Sequence, residues 1–199
     1  MSTAILSPPR VDFTPQTLHW TCSEFHNLCD AGYLEGRNVI LVDGEILEMP
    51  PPNPPHNSGV ELTREVLVNA FGAGHWVRVQ MALVLSLDID PVPDLAVILG
   101  SPRTITSQPT GALLVVEVSD STLAYDCGEK MNLYADGGIA EYWVLDLNGR
   151  QLIVWRDPVA DTLSPRGHRY ATRVTLRPTD SISPLAAPNA SIIVGDLLP

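Results

Sequence analysis

Asp94 and Glu117 each stand in an apolar, strand-like run, Pro93-Asp94-Leu95-Ala96-Val97-Ile98-Leu99 and Leu113-Leu114-Val115-Val116-Glu117-Val118-Ser119. A carboxylate in such a run is costly to bury without a partner. Two of them on neighbouring strands repel unless a cation lies between, and a divalent metal ion meets that need. Lys130 follows in a segment with helical spacing. Two acids and a lysine in this order point to phosphodiester hydrolysis. The attacking water must lose a proton, the phosphoryl oxygens gain charge, and the leaving oxygen must be stabilised; magnesium serves all three needs, and manganese can substitute. In this reading Asp94 and Glu117 supply carboxylates to the metal, and the Val118 carbonyl adds a third oxygen. Lys130 stabilises developing charge or positions the water. Each residue also has a plain structural reading. Asp94 could cap a strand after Pro93, Glu117 could face solvent from an edge strand, and Lys130 could pair with Asp126 one helical turn earlier.

These side chains need elements to hold them. Residues 15–31 have helical spacing, with Leu18, Cys22, Phe25 and Leu28 on one face, Thr14-Pro15 as the start and Gly32 as the stop. Residues 39–49 read as a hairpin turning at Asp43-Gly44. The proline-rich stretch 50–55 reads as a stiff loop. A second helix follows over 56–73, with Leu62, Val66, Leu67, Ala70 and Phe71 inward. Residues 76–87 alternate, placing Val77, Val79, Met81, Leu83, Leu85 and Leu87 on one strand face and Arg78, Gln80 and Ser86 on the other. The Glu117 run is apolar on both faces, which predicts a central strand. A helix over 122–136 ends at Gly137-Gly138, and 141–147 and 151–156 form a second hairpin. The order predicts an α/β (α+β) fold, a mixed sheet flanked by helices. Residues 1–14 read as an N-terminal arm and 15–199 as a single domain, with a proline-rich C-terminal extension from about 157.

Composition narrows the function. The 199 residues carry a net charge of −11, which opposes broad electrostatic binding to nucleic acid. No apolar stretch approaches the roughly 20 residues of a membrane span. Cys22, Cys29 and Cys127 lack CxxC spacing and read as free thiols. With no signal-peptide pattern in view, the expected location is the cytoplasm.

The order of short motifs is more specific than any one of them. Pro93-Asp94, Glu117-Val118-Ser119, Asp126…Lys130…Tyr134 and Glu141-Tyr142-Trp143-Val144-Leu145-Asp146, preceded by Val42-Asp43-Gly44-Glu45-Ile46, Met49-Pro50 and His56, resemble the Uma-two family of the PD-(D/E)XK nuclease superfamily. The resemblance implies a restriction-endonuclease-like core and a magnesium-dependent endonuclease acting on DNA. Asp94 and Glu117 match its acids, and Lys130 the lysine shifted to the next helix because Ser119 fills the usual place. Gln80 matches a position where Gln or Glu precedes the Asp strand. Many relatives carry Glu where this chain has Ile40, which leaves a leaner metal shell.

Glu45 and Glu61 are further candidates for the site, against readings as hairpin and solvated helix residues. His56 reads as a cap or packing residue and Tyr134 as core. A homodimer is expected, since double-strand cutters commonly pair two sites. The alternatives are a nuclease fold that binds or regulates without cutting, which Ile40 and the acidic charge favour, and a hydrolase of smaller phosphate esters.

Overall fold

A computed structural model describes residues 14–199, so nearly all of the expected N-terminal arm lies outside the described residues. The first helix, α1 (Cys22–Asp30), starts later than the Thr14-Pro15 signal predicts. Thr21 forms a capping box with Glu24, and this reciprocal pair satisfies two main-chain donors where Pro15 satisfies none. Cys22 and Phe25 are buried, whereas Leu18 is 75% exposed.

Strands β1 (Val39–Val42) and β2 (Glu45–Glu48) form the expected hairpin, paired Val42 to Glu45. Its turn places both Asp43 (φ 53) and Gly44 (φ 73) in the left-handed region, as a type I′ turn requires. Helix α2 (Pro54–Phe71) begins inside the proline-rich stretch. Asn53 caps it, and Pro54 and Pro55 occupy the first turn, where a missing N–H costs nothing.

The central sheet has the order β3 (His75–Val79), β4 (Leu95–Leu99), β5 (Leu114–Ser119), β6 (Glu141–Asp146), β7 (Gln151–Ala160), β8 (His168–Leu176). Among the described residues only β5 and β6 pair in parallel. The crossover between them is a helical segment in three consecutive pieces: α3 (Leu123–Tyr125), a π-helical turn (Asp126–Lys130) and α4 (Met131–Asp136). The expected mixed sheet flanked by helices is therefore present. The alternation over 76–87 does not continue as a strand, because β3 ends at Val79 and its partner β4 begins only at Leu95. Gln80 turns the chain with φ 48, and Met81 and Leu87 are 42% and 83% exposed. From about 157 onward, the chain completes β7, adds β8 as an edge strand, and returns through β9 (Ser181–Ile182), β10 (Ile192–Ile193) and a 3-10 turn (Val194–Leu197). Ile192, Val194 and Leu197 pack in the core beside α2.

Strand alternation assigns the two faces of the sheet. Leu114, Val116 and Val118 join the core under α2, while Val115 joins the core under α4. Glu117 therefore points toward the crossover helix. On the other face, α2 approaches β5 closely at Gly59: a Cβ there would lie 2.8 Å from Val118 Cγ1. Among the described residues no helix is long and apolar enough to cross a membrane.

In an exposed helix, Gly→Ala normally stabilises by about 1 kcal/mol. At Gly59 the added methyl meets a stiff β-branched neighbour, so Gly59→Ala should instead destabilise by about 1–2 kcal/mol. Denaturant unfolding checks this; a gain in stability would show that α2 has room above Val118.

Candidate active site

Glu117 lies in the middle of the sheet and is 1% exposed. Its neighbours supply what burial removes. Tyr134 Oη donates to Oε1 at 2.7 Å, Lys130 Nζ lies 2.9 Å from Oε2, and the Asp94 N–H donates to Oε2 at 3.3 Å.

Asp94 sits just before β4, at the sheet end of the same cleft. Its Oδ2 accepts from the Val118 N–H at 2.9 Å and lies 3.1 Å from His56 Nε2, in the first turn of α2. Among the described residues Oδ1 has no hydrogen-bond partner, and Asp94 lines the cleft. In a strand, a residue's N–H and C=O point the same way. The Val118 N–H reaches Asp94, so the Val118 carbonyl faces the Asp94 side as well.

The crossover helix brings in the cation. In the π-helical turn Asp126 and Lys130 are both buried, and Lys130 Nζ lies 3.2 Å from Asp126 Oδ1 as well as against Glu117. Thr122 Oγ1 holds the other Asp126 oxygen. Single π turns of this kind are rare and concentrate at functional sites. Lys130 is thus directed into the cleft, although its pairing with Asp126 is also present.

Protonation follows from burial and neighbours. Burial pushes the Glu117 carboxyl up to about 8; Lys130 and the Tyr134 hydroxyl pull down, and Asp94 and Asp126 push up further. Burial would raise Asp94 too, but the hydrogen bond and charge of His56, the Val118 N–H and Lys130 outweigh it, and its pKa falls. His56 is raised, chiefly by its hydrogen bond to Asp94. Burial would lower Lys130, but Glu117 and Asp126 outweigh it and hold the ammonium charged.

The cleft has a volume of about 400 Å³ and is lined by Ile40, His56, Gln80, Asp94, Glu117, Val118 and Lys130, with Met49 to Asn53 along one rim. It thus brings together Asp94, Glu117, Val118, Lys130 and Gln80 of the residues read from sequence. Gln80 is exposed at the strand end, and its N–H donates to the Asp94 carbonyl at 3.0 Å. Glu61 does not reach the cleft: it pairs with Arg64 at 2.6 Å on the solvent face of α2. Glu45 lines a neighbouring cleft instead, because the hairpin turn points it across β1. Ile40 is buried in the wall, so no third acid stands there. His56 and Tyr134, read from sequence as packing residues, both contact the site acids. The position of His56 just behind a capped proline stretch was the available signal; Tyr134 had one in its spacing of one turn from Lys130.

The donors fit a hard divalent cation: oxygens only, with one carboxylate oxygen free. Among the described residues no three His, Cys, Asp or Glu side chains converge on one point. A set of two carboxylates and a carbonyl suits magnesium, which keeps several waters.

The family described as "Uma2: Putative restriction endonuclease" matches residues 22–194. The chain belongs to the Uma2 family. Its fold is similar to that in the crystal structure of a putative nuclease belonging to DUF820 from Anabaena variabilis, with a TM-score of 0.66 at 15% identity, covering 89% of this chain and 96% of that one. No curated protein matches the chain. The family is thus one described as putative restriction endonucleases, and the solved structure shares the fold of this Uma2 chain.

The raised Glu117 pKa has a stability consequence. The folded state holds the proton up to about pH 8, whereas a free Glu releases it near 4.5. The stability tied to this proton is complete below pH 4.5 and is lost as pH rises toward 8. Glu117→Gln keeps the shape without the charge. Its melting temperature relative to wild type should therefore climb between pH 5 and pH 8, by roughly 4 °C or more. A difference that does not change with pH would mean that the buried carboxyl is already ionised at pH 5.

Proposed function

We propose that this Uma2 chain is a magnesium-dependent endonuclease that hydrolyses phosphodiester bonds, with DNA as its substrate. One observation carries the reading: Asp94 just before β4, Glu117 in β5 and Lys130 in the crossover helix meet in one cleft with a free carboxylate oxygen. Asp94, Glu117 and the Val118 carbonyl would hold the ion, which when bound polarises the phosphoryl group and acidifies a water. Manganese would serve in its place.

The remaining steps belong to the chain's own groups. Lys130 is placed to hold the attacking water or to neutralise charge on the phosphoryl oxygens. Asp126 and Tyr134 keep Lys130 and Glu117 in register. His56 and the Val118 N–H fix one Asp94 oxygen, which turns the other toward the cleft. Glu117 must give up its proton before it can serve a cation, so magnesium should bind more tightly as pH rises and release a proton on binding. A dimer would bring two such sites to opposite strands.

The second reading, a nuclease fold that binds without cutting, has support in the scarcity of cations at the cleft. Arg37, Arg64, Arg156, Arg166 and Arg169 are each paired with an acid, and Lys130 is the one Lys or Arg lining the cleft among the described residues.

Incubation of plasmid and linear DNA with magnesium or manganese separates the two. Wild type should cleave, and Asp94→Asn and Lys130→Met should each lose about 100-fold or more, the range for removing an acid–base or charge-stabilising group. Equal nicking by wild type and both variants would mark a contaminant and leave the binding role. Light scattering at micromolar protein tests the dimer, which a mass of 21.6 kDa would contradict.

A further inference from the structure

A second cleft, of about 250 Å³, opens on the other side of Lys130 and shares Lys130 and Ile40 with the first. Its walls come from the β1–β2 hairpin and the crossover helix. Val42 and Leu47 form one side, Tyr125 and Leu133 the other, with Ile40 continuing into the first cleft. Tyr125 is partly exposed, and Lys130 Nζ lies 5.8 Å from its ring centroid. Three acids, Asp43, Glu45 and Glu129, also line it. Arg166 is spent on Asp43, with both guanidinium nitrogens hydrogen-bonded to that carboxylate. Lys130 is engaged by Glu117 and Asp126.

These groups set the chemistry of an occupant. The exposed carboxyls of Glu45 and Glu129 have no cation paired with them among the described residues, so they repel a phosphate. They accept hydrogen bonds from N–H groups. The apolar walls and the Tyr125 ring favour a flat aromatic body, since every base offers a face for stacking. Continuity across Lys130 lets one chain place a phosphate in the first cleft and the adjoining base in the second.

Resting on the nuclease reading of the first cleft, we propose that the second cleft binds the base next to the scissile phosphate, unstacked on Tyr125 and selected for an exocyclic amino group by Glu45 and Glu129. The substrate presented to the site is then a single strand or an extruded nucleotide. Cytosine offers an amino donor where thymine offers a carbonyl oxygen, so the cleft prefers the first.

Fluorescence anisotropy with labelled (dC)8 and (dT)8 in EDTA measures base binding apart from hydrolysis. Wild type should bind (dC)8 about tenfold more tightly than (dT)8, the low end for one good base-edge contact. Tyr125→Leu should weaken both about tenfold, and Tyr125→Phe should stay within about twofold, because stacking needs the ring and not the hydroxyl. Glu45→Gln combined with Glu129→Gln should bring the ratio toward one. Thermal melting of each variant confirms that it is folded. Equal binding of the two oligonucleotides by wild type, or undiminished binding by folded Tyr125→Leu, overturns the base cleft. Parallel cleavage assays in magnesium keep the two claims apart. Cleavage without base preference overturns the second cleft and leaves hydrolysis standing. Base-selective binding without cleavage does the reverse.

Discussion

A carboxyl group at the centre of a fully buried strand is the constraint on which the site depends. Glu117 cannot be ionised there without opposite charge, and it cannot be left unpartnered. Tyr134, Lys130 and the Asp94 N–H occupy its two oxygens, and each comes from a different element. The chain thereby ties the crossover helix, β4 and β5 together at one point. Such an arrangement stabilises poorly: replacing buried ionic groups with apolar ones is often neutral or favourable. The proposed function gives a reason for keeping it, because a carboxyl that serves a cation must stay in the cleft.

Secondary structure around the site serves the same end. The π turn puts Asp126 and Lys130 in contact while Tyr134 reaches Glu117 from α4. On the opposite face, Gly59 lets α2 lie close to Val118, and the capped first turn of α2 carries His56 to Asp94. The two helices thus address the two acids from opposite sides of the sheet. The parallel pairing of β5 and β6 makes the crossover helix necessary and sets where its N-terminal half must lie.

Where local chemistry decides the structure, it was legible. The Asp43-Gly44 turn, the apolar run of β5 and the hairpin around 147–150 appear as read. In α2, Val66, Leu67, Ala70 and Phe71 face the core as expected, whereas Leu62 does not join it and Val60 does. Where two local signals compete, tertiary contacts chose. Thr21-x-x-Glu24 prevailed over Thr14-Pro15 as the start of α1 because Cys22 and Phe25 find a core and Leu18 does not. The alternation past Val79 was misleading because a strand also needs a neighbour, and β4 is only five residues long. Asp94, Glu117 and Lys130 were recognisable by order and spacing. The contacts of His56, Tyr134 and Asp126 with them arise only on folding, and the separation of Glu45 from the cleft depends on which way the hairpin faces.

The acidic surface and the cleft are reconciled if recognition relies little on phosphate neutralisation. Lys130 is the one Lys or Arg lining the cleft among the described residues, so in the proposed function binding would lean on a metal ion and on base contacts. The central claim is that Asp94 and Glu117 form one cation site with the Val118 carbonyl. Anomalous diffraction from crystals soaked in manganese tests it most directly. The account predicts a peak within about 2.2 Å of an Asp94 oxygen, with Glu117 and Val118 oxygens completing the protein ligands and Lys130 displaced from Glu117. Manganese bound elsewhere, with the Lys130–Glu117 contact unchanged, would contradict it.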